Sequence, residues 1–190
     1  MKKLQFAMVG GGNGALIGDI HRIGAQFDDL AELKAGCFSR HWDKNLEAGE
    51  KWGVEPGRIY PDYHTMLEEE AKRTGEDRLD FVVVATPNNF HCPLVCQALE
   101  AGKTVVCEKP VAMSSEELQV MMDTASRTGS LFTIHQNRRM DADYLLMREA
   151  AEKGTLGKVF EIESRVTGSR GIPEGWRQYK VAGGGMMLDW

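Results

Sequence analysis

The stretch Leu4-Gln5-Phe6-Ala7-Met8-Val9-Gly10-Gly11-Gly12-Asn13-Gly14-Ala15 runs from an apolar segment straight into a glycine run. Leu4 to Val9 has the composition of a buried strand. Beyond the glycines, Ile17, Ile20, Ile23 and Phe27 recur at spacings of three and four, the period of one helix face. Gly10, Gly12 and Ala15 satisfy G-x-G-x-x-G/A at this strand-to-helix joint. Small residues there let the backbone turn tightly and bring its N–H groups and the helix N-terminus against a pyrophosphate. The crowding also allows a shifted register through Gly12, Gly14 and Gly18, and spacing alone does not choose between the two. Gly10, Gly12, Asn13 and Ala15 are the candidate cofactor contacts of this turn.

Outward from the turn the strand–helix alternation repeats. Leu30–Phe38 reads as a second strand and Trp42–Trp52 as a polar helix closed by Gly53. A short strand at Ile59 and Tyr60 precedes a helix over Tyr63–Arg73, and Leu79–Ala85 is the most apolar strand of the chain. Such an unbroken apolar run suits a strand buried on both faces of a parallel sheet. A helix over Pro93–Ala101, a strand over Thr104–Cys107, a helix over Ser114–Thr128 and a strand over Leu131–His135 follow. Ser114 and Glu117 have the spacing of a capping box. The pattern predicts a doubly wound parallel sheet of the Rossmann type, with ligands at the carboxyl ends of its strands.

After Met140 the pattern changes. A helix is expected to about Lys153, ended by Gly154, and then Lys158–Gly168 alternates Phe160, Ile162 and Val166 with Glu161, Glu163 and Arg165, the mark of a half-buried strand. The expected division is a dinucleotide-binding domain over residues 1–137 and the beginning of a second, incomplete domain over 138–190.

Bulk composition narrows the class. In 190 residues, 42% hydrophobic and 27% charged, there is material for one sizeable core, and neither disorder nor a fibrous repeat is indicated. The 23 Lys and Arg against 28 Asp and Glu, with no basic run, argue against nucleic acid as a partner. No apolar segment approaches the roughly 20 residues of a membrane span, and no secretory signal is visible. Cys37, Cys92, Cys96 and Cys107 lack the spacing of a metal site or disulfide framework, so reduced thiols, no metal and a cytoplasmic location are expected.

Three further loops fall at strand ends. The second strand closes on Cys37-Phe38-Ser39-Arg40, without the carboxylate that would bind the ribose 2'-hydroxyl of NAD. A hydroxyl followed by a guanidinium suits a 2'-phosphate, which favours NADP over NAD; the alternative places Arg40 over the adenine or in solvent. The strand at Leu79–Ala85 is followed by Thr86-Pro87-Asn88-Asn89-Phe90-His91, a rigid turn that carries polar groups or caps a helix. The next strand ends in Glu108-Lys109-Pro110, a charged pair at the ligand-binding edge.

With VGGGNGALIG, VVVATPNNFH, AGKTVVCEKP, HQNRR and GGGMMLDW all present, the sequence resembles the Gfo/Idh/MocA family of oxidoreductases over nearly its whole length. The resemblance implies an N-terminal domain that binds NAD or NADP, followed by an α/β domain with an open, mainly antiparallel sheet that covers the active site and forms a homo-oligomer interface. Typical members oxidise or reduce sugars, cyclitols and related polyols. By resemblance Lys109 is the catalytic lysine and Glu108 orients it on the nicotinamide side. Thr86, Pro87, Asn88, His91, Asn137, Trp176 and Arg177 match cofactor positions, and Arg138 and Asp189 face substrate together with Lys109. The family's catalytic histidine belongs to a G-x-H segment that would follow Trp190, so the chain by itself is expected to turn over little. A non-enzymatic dinucleotide sensor and an inactive fragment are the competing readings.

Overall fold

The computed structural model describes residues 2–165, 167 and 174–185. Five parallel strands, β1 (Leu4–Gly10), β2 (Ala31–Cys37), β3 (Phe81–Ala85), β4 (Thr104–Glu108) and β5 (Phe132–His135), form one sheet in the order β2-β1-β3-β4-β5. Ile59 makes a single parallel bridge to Gly36 on the outer side of β2, and the Tyr60 N–H donates to the Gly36 carbonyl at 2.9 Å. The short strand expected there is therefore reduced to one rung. Counted in chain order it completes the arrangement 3-2-1-4-5-6 of the doubly wound dinucleotide-binding fold. The order reverses between β1 and β3, and this opens the crevice at their carboxyl ends.

Period-two geometry explains the unbroken apolar runs. Ala7, Val9, Val82 and Val84 point into one core, with Met66, Leu79, Leu99 and Met121, while Phe6, Met8, Val83 and Ala85 point into a second, with Leu33, Phe38 and Ala48. Each strand thus feeds a dry layer on either face. Each fully buried valine, leucine or phenylalanine side chain contributes about 1.5–3 kcal/mol of transfer free energy.

Helices α1 (Leu16–Gln26), α2 (Trp42–Lys51), α3 (Tyr63–Ala71), α4 (His91–Glu100), α5 (Ser115–Thr128) and α6 (Ala142–Glu152) follow the expected positions within a few residues. Ser114 caps α5 by accepting from the Glu117 N–H at 3.3 Å; the Glu117 carboxylate reaches back to the Met113 N–H at 2.8 Å, one residue earlier than a reciprocal box requires. The face of α1 differs from the periodic reading. Ile20, Ile23 and Phe27 are exposed, and the helix turns Gly18 and His21 inward instead. Close approach of α1 to the glycine turn leaves no room for a side chain at Gly18, and one turn on His21 is turned inward by its contact with Glu108, so packing and a polar partner override hydrophobic period.

Beside the sheet, Arg58 and Glu70 form a buried bidentate pair, with Arg58 Nε donating to Glu70 Oε1 at 2.9 Å and the Tyr60 hydroxyl donating to the same oxygen at 2.7 Å. Burial, followed by the Glu70 contact, pushes the Tyr60 phenol up to about 12. This network anchors α3 to the segment that replaces the missing strand.

The expected half-buried strand at 158–168 is not formed over its described part. Residues 158–165 are exposed coil, Phe160 at 91% and Ile162 at 79%. Alternation specifies a face, but a strand exists only through ladder bonds to a neighbour, and among the described residues no strand lies beside this segment. Val166 and Gly168 lie outside the described residues. Helix α6 likewise buries none of its side chains. Among the described residues no helix is long and apolar enough to cross a membrane, and all four cysteines are free.

Candidate functional site

The turn after β1 is built by exclusion of Cβ atoms. Gly10 adopts φ +78°, and a Cβ there would lie 2.5 Å from the Ala85 carbonyl oxygen of β3. At Gly12 a Cβ would come within 2.7 Å of the Phe38 carbonyl oxygen, which accepts the Gly12 N–H at 3.2 Å. At Gly18 it would stand 1.7 Å from the carbonyl oxygen of Gly11. The contact between helix and turn that the third small residue of the motif must allow is therefore made by Gly18. Ala15, given that part in the first register, is exposed at the N-cap of α1. The working set joins Gly10 and Gly12 of one register to Gly18 of the other.

No side chain caps the N-terminus of α1, so its first N–H groups remain available to an anion. The Asn13 Oδ1 in this turn, and the Thr86 Oγ1 and Asn89 Oδ1 in the turn after β3, are buried polar atoms with no hydrogen-bond partner. The Thr86 hydroxyl can donate to a phosphate oxygen and, next to a cradle that a Cβ would fill, fits a pyrophosphate-containing ligand, whereas the two amide oxygens are acceptors that suit a ligand hydroxyl or N–H. At the end of β2 the Ser39 hydroxyl accepts from the His41 N–H at 3.1 Å and Arg40 is exposed.

Two of the polar residues after β3 are held by the protein itself. Asn88 is buried, and its side-chain amide donates to the Gly183 carbonyl at 2.8 Å, which docks the segment after Tyr179 against the sheet edge. His91 is also buried, with Nδ1 2.9 Å from the Pro110 carbonyl oxygen and Nε2 2.9 Å from that of Thr86. Its ring ties the turn after β3 to the joint after β4. Burial lowers its pKa, and the two carbonyls and the Glu108 charge offset this only in part. Pro87 precedes the short turn Asn88–Phe90. Trp176 and Arg177 lie together in a turn over Gly175–Gln178, the guanidinium 4.6 Å from the indole centroid. Asn137 and Arg138 are exposed in the turn after β5, and Arg138 pairs with Asp141 at 2.8 Å. Asp189 lies outside the described residues.

The joint after β4 holds the densest chemistry. Lys109 is half-buried, and its N–H donates to Glu108 Oε2 at 3.2 Å across a peptide sequence that continues through a cis Lys109–Pro110 bond. The carboxylate is turned inward, where Oε1 meets His21 Nε2 at 2.7 Å and His135 Nδ1 at 2.6 Å. The two imidazole rings are 4.2 Å apart between centroids. Burial raises the Glu108 pKa, but the hydrogen bonds from His135 and His21 outweigh it and bring the carboxyl down to about 2. His135 lines an open hollow with Ile134, Gln136, Asn137, Arg139 and Met140.

Residues 4–136 match the model of an oxidoreductase family with an NAD-binding Rossmann fold, Gfo/Idh/MocA. The chain belongs to this family. It is 38% identical over 167 residues to the uncharacterized oxidoreductase YfiI of Bacillus subtilis (strain 168), covering 87% of this chain and 42% of that protein. The crystal structure of an NAD-binding protein from Listeria innocua superposes with a TM-score of 0.85 at 43% identity, covering 100% of this chain and 50% of that one. An inositol dehydrogenase homolog from Azotobacter vinelandii, in complex with NADH and myo-inositol, superposes with a TM-score of 0.77 at 37% identity, covering 83% and 41%. The chain thus spans half or less of the length of these relatives.

As a Gfo/Idh/MocA chain it carries the expected glycine turn and Glu-Lys-Pro joint on one sheet edge, but two residues of the site escape a reading of motifs. His21 and His135 lie 87 and 27 residues from Glu108. The one signal for His21 is its place on α1, three residues after Gly18, because whatever follows the packing glycine by one turn also faces the sheet. For His135, the signal is its position as the last residue of β5, beside Glu108 in register.

Proposed function

We propose that the protein is an NAD(P)-dependent oxidoreductase that moves a hydride between nicotinamide and a secondary alcohol or carbonyl of a sugar, cyclitol or related polyol. The observation that carries this reading is the presence, on one carboxyl edge of the sheet, of a glycine turn built for a pyrophosphate and of the Lys109 joint. The polyol class is supported by the likeness to the homolog bound to NADH and myo-inositol. Gly10 and Gly12 let the pyrophosphate approach the backbone, the first N–H groups of α1 hold it, the Thr86 hydroxyl donates to it, and Asn13 borders it. When bound, the dinucleotide supplies or takes up the hydride. Lys109 holds and passes the proton at the reacting oxygen, and Glu108 sets the backbone that presents it. Arg138 reaches the substrate, Asn137, Trp176 and Arg177 border the cofactor, and residues 138–190 begin the domain that closes over both and joins a second copy.

Ser39 and Arg40 favour NADP through the 2'-phosphate, since an exposed guanidinium at this position supplies paired charge-assisted donors. Titration with NADPH and NADH, followed by quenching of the tryptophans, tests both levels. Tighter binding of NADPH is expected, with the preference lost in Arg40→Ala. Equal affinity for the two dinucleotides removes the NADP preference, and binding of neither removes the dinucleotide reading.

A further inference from the structure

The buried cluster of His21, Glu108 and His135 joins three elements that the dinucleotide site depends on: α1, whose head is the glycine turn, the end of β4, which carries Lys109, and the end of β5. One carboxylate oxygen receives both imidazoles, at 2.7 and 2.6 Å, while the other accepts the Lys109 N–H at 3.2 Å. Two histidines and a glutamate are also a common set of metal ligands. Ligand atoms around a tetrahedral ion at about 2.0–2.1 Å, however, stand about 3.3 Å from one another. The observed separations are those of charge-assisted hydrogen bonds, so the cluster is organised around protons.

An ionised carboxylate is an acceptor only, which requires a hydrogen on His21 Nε2 and on His135 Nδ1. We infer that His21 and His135 are positioning residues, clamping Glu108 so that the glycine turn at the head of α1 and the Lys109 joint are held in one fixed relation. A displaced carboxylate would release the Lys109 N–H and, through His21, the helix that the pyrophosphate sits on. For its functional consequence the inference rests on the dinucleotide reading above; for the hydrogen bonds themselves it does not.

Isosteric substitution tests it. A glutamine amide nitrogen reaches about as far as Nε2 of histidine, and an asparagine amide about as far as Nδ1. His21→Gln and His135→Asn therefore keep a donor in place, whereas His21→Asn and His135→Gln misplace it. Nitrogen-15 NMR of the wild-type imidazoles at neutral pH is expected to show hydrogen on His21 Nε2 and His135 Nδ1. Hydrogen exchange at the Lys109 N–H is expected to stay slow in the donor-keeping pair and to speed up in the misplacing pair. NADH binding should remain within about twofold in the first pair and weaken about five- to tenfold in the second, the range of an ordinary coupling between sites. Absence of those ring hydrogens, or equal Lys109 exchange in all four variants, overturns the clamp. If the hydrogens and the exchange pattern are as expected while the wild type binds neither NADH nor NADPH, the clamp stands and the dinucleotide reading fails.

Discussion

The turn after β1 and the joint after β4 lie on the same sheet edge and are made by opposite means. The first is a backbone device: glycines occupy positions where a Cβ would strike a carbonyl of β3, of the residue after β2, or of the turn itself. The second is a side-chain device, in which one carboxylate is held by imidazoles from two other elements. A backbone site tolerates no added atom, whereas a side-chain site depends on charge and on which atom donates. The two are joined through His21, one helical turn along from Gly18.

The sharpest way to break this contrast is to add one methyl group to the turn. Gly18→Ala places a Cβ 1.7 Å from the Gly11 carbonyl oxygen, and only backbone movement can relieve the overlap. A loss of more than about 3 kcal/mol is expected in urea unfolding. Unchanged stability would show that the turn is not built by close approach.

Next in size is the charge of Glu108. Its folded pKa, about 2, lies below the ordinary 4.5. A depressed carboxyl pKa contributes stability that is present above the ordinary value and is lost as pH falls through the folded one. The expected loss between pH 4.5 and 2 is about 3 kcal/mol. In Glu108→Gln this part of the acid dependence should disappear, as read from unfolding curves across that range. An identical pH dependence in the two proteins would deny the carboxylate its clamped state.

The smallest effect sharpens the account of the turn. Gly14 has φ +86°, yet a Cβ there meets nothing within 4 Å. Gly14→Ala thus costs only the left-handed backbone, about 1 kcal/mol. A cost as large as that of Gly18→Ala would mean that conformation, not packing, governs the whole loop.

Much of the fold was legible because its signals are local. Each expected Rossmann strand was found within two residues of its range except that at Ile59 and Tyr60, where a single rung remains and the Arg58–Glu70 pair does the anchoring. The α1 helix was visible but its buried face was not, since the close turn at Gly18 and the Glu108 contact of His21 set the inward face and the periodic isoleucines point outward. Lys158–Arg165 has the right alternation and no neighbour among the described residues. Periodicity reports what a segment can bury, not whether anything is there to bury it against.

By itself the sequence determined the alternation of strand and helix, the two-faced burial of the sheet and the glycine run at its first joint, because these follow from chain-neighbour spacing and from the absence of side chains. The tertiary structure alone decided that Gly18 rather than Ala15 packs on the turn, that Asn88 and His91 bind protein carbonyls, and that Glu108 faces two histidines. Those outcomes depend on which distant residues the parallel crossovers bring to one edge, and no spacing along the chain encodes that distance.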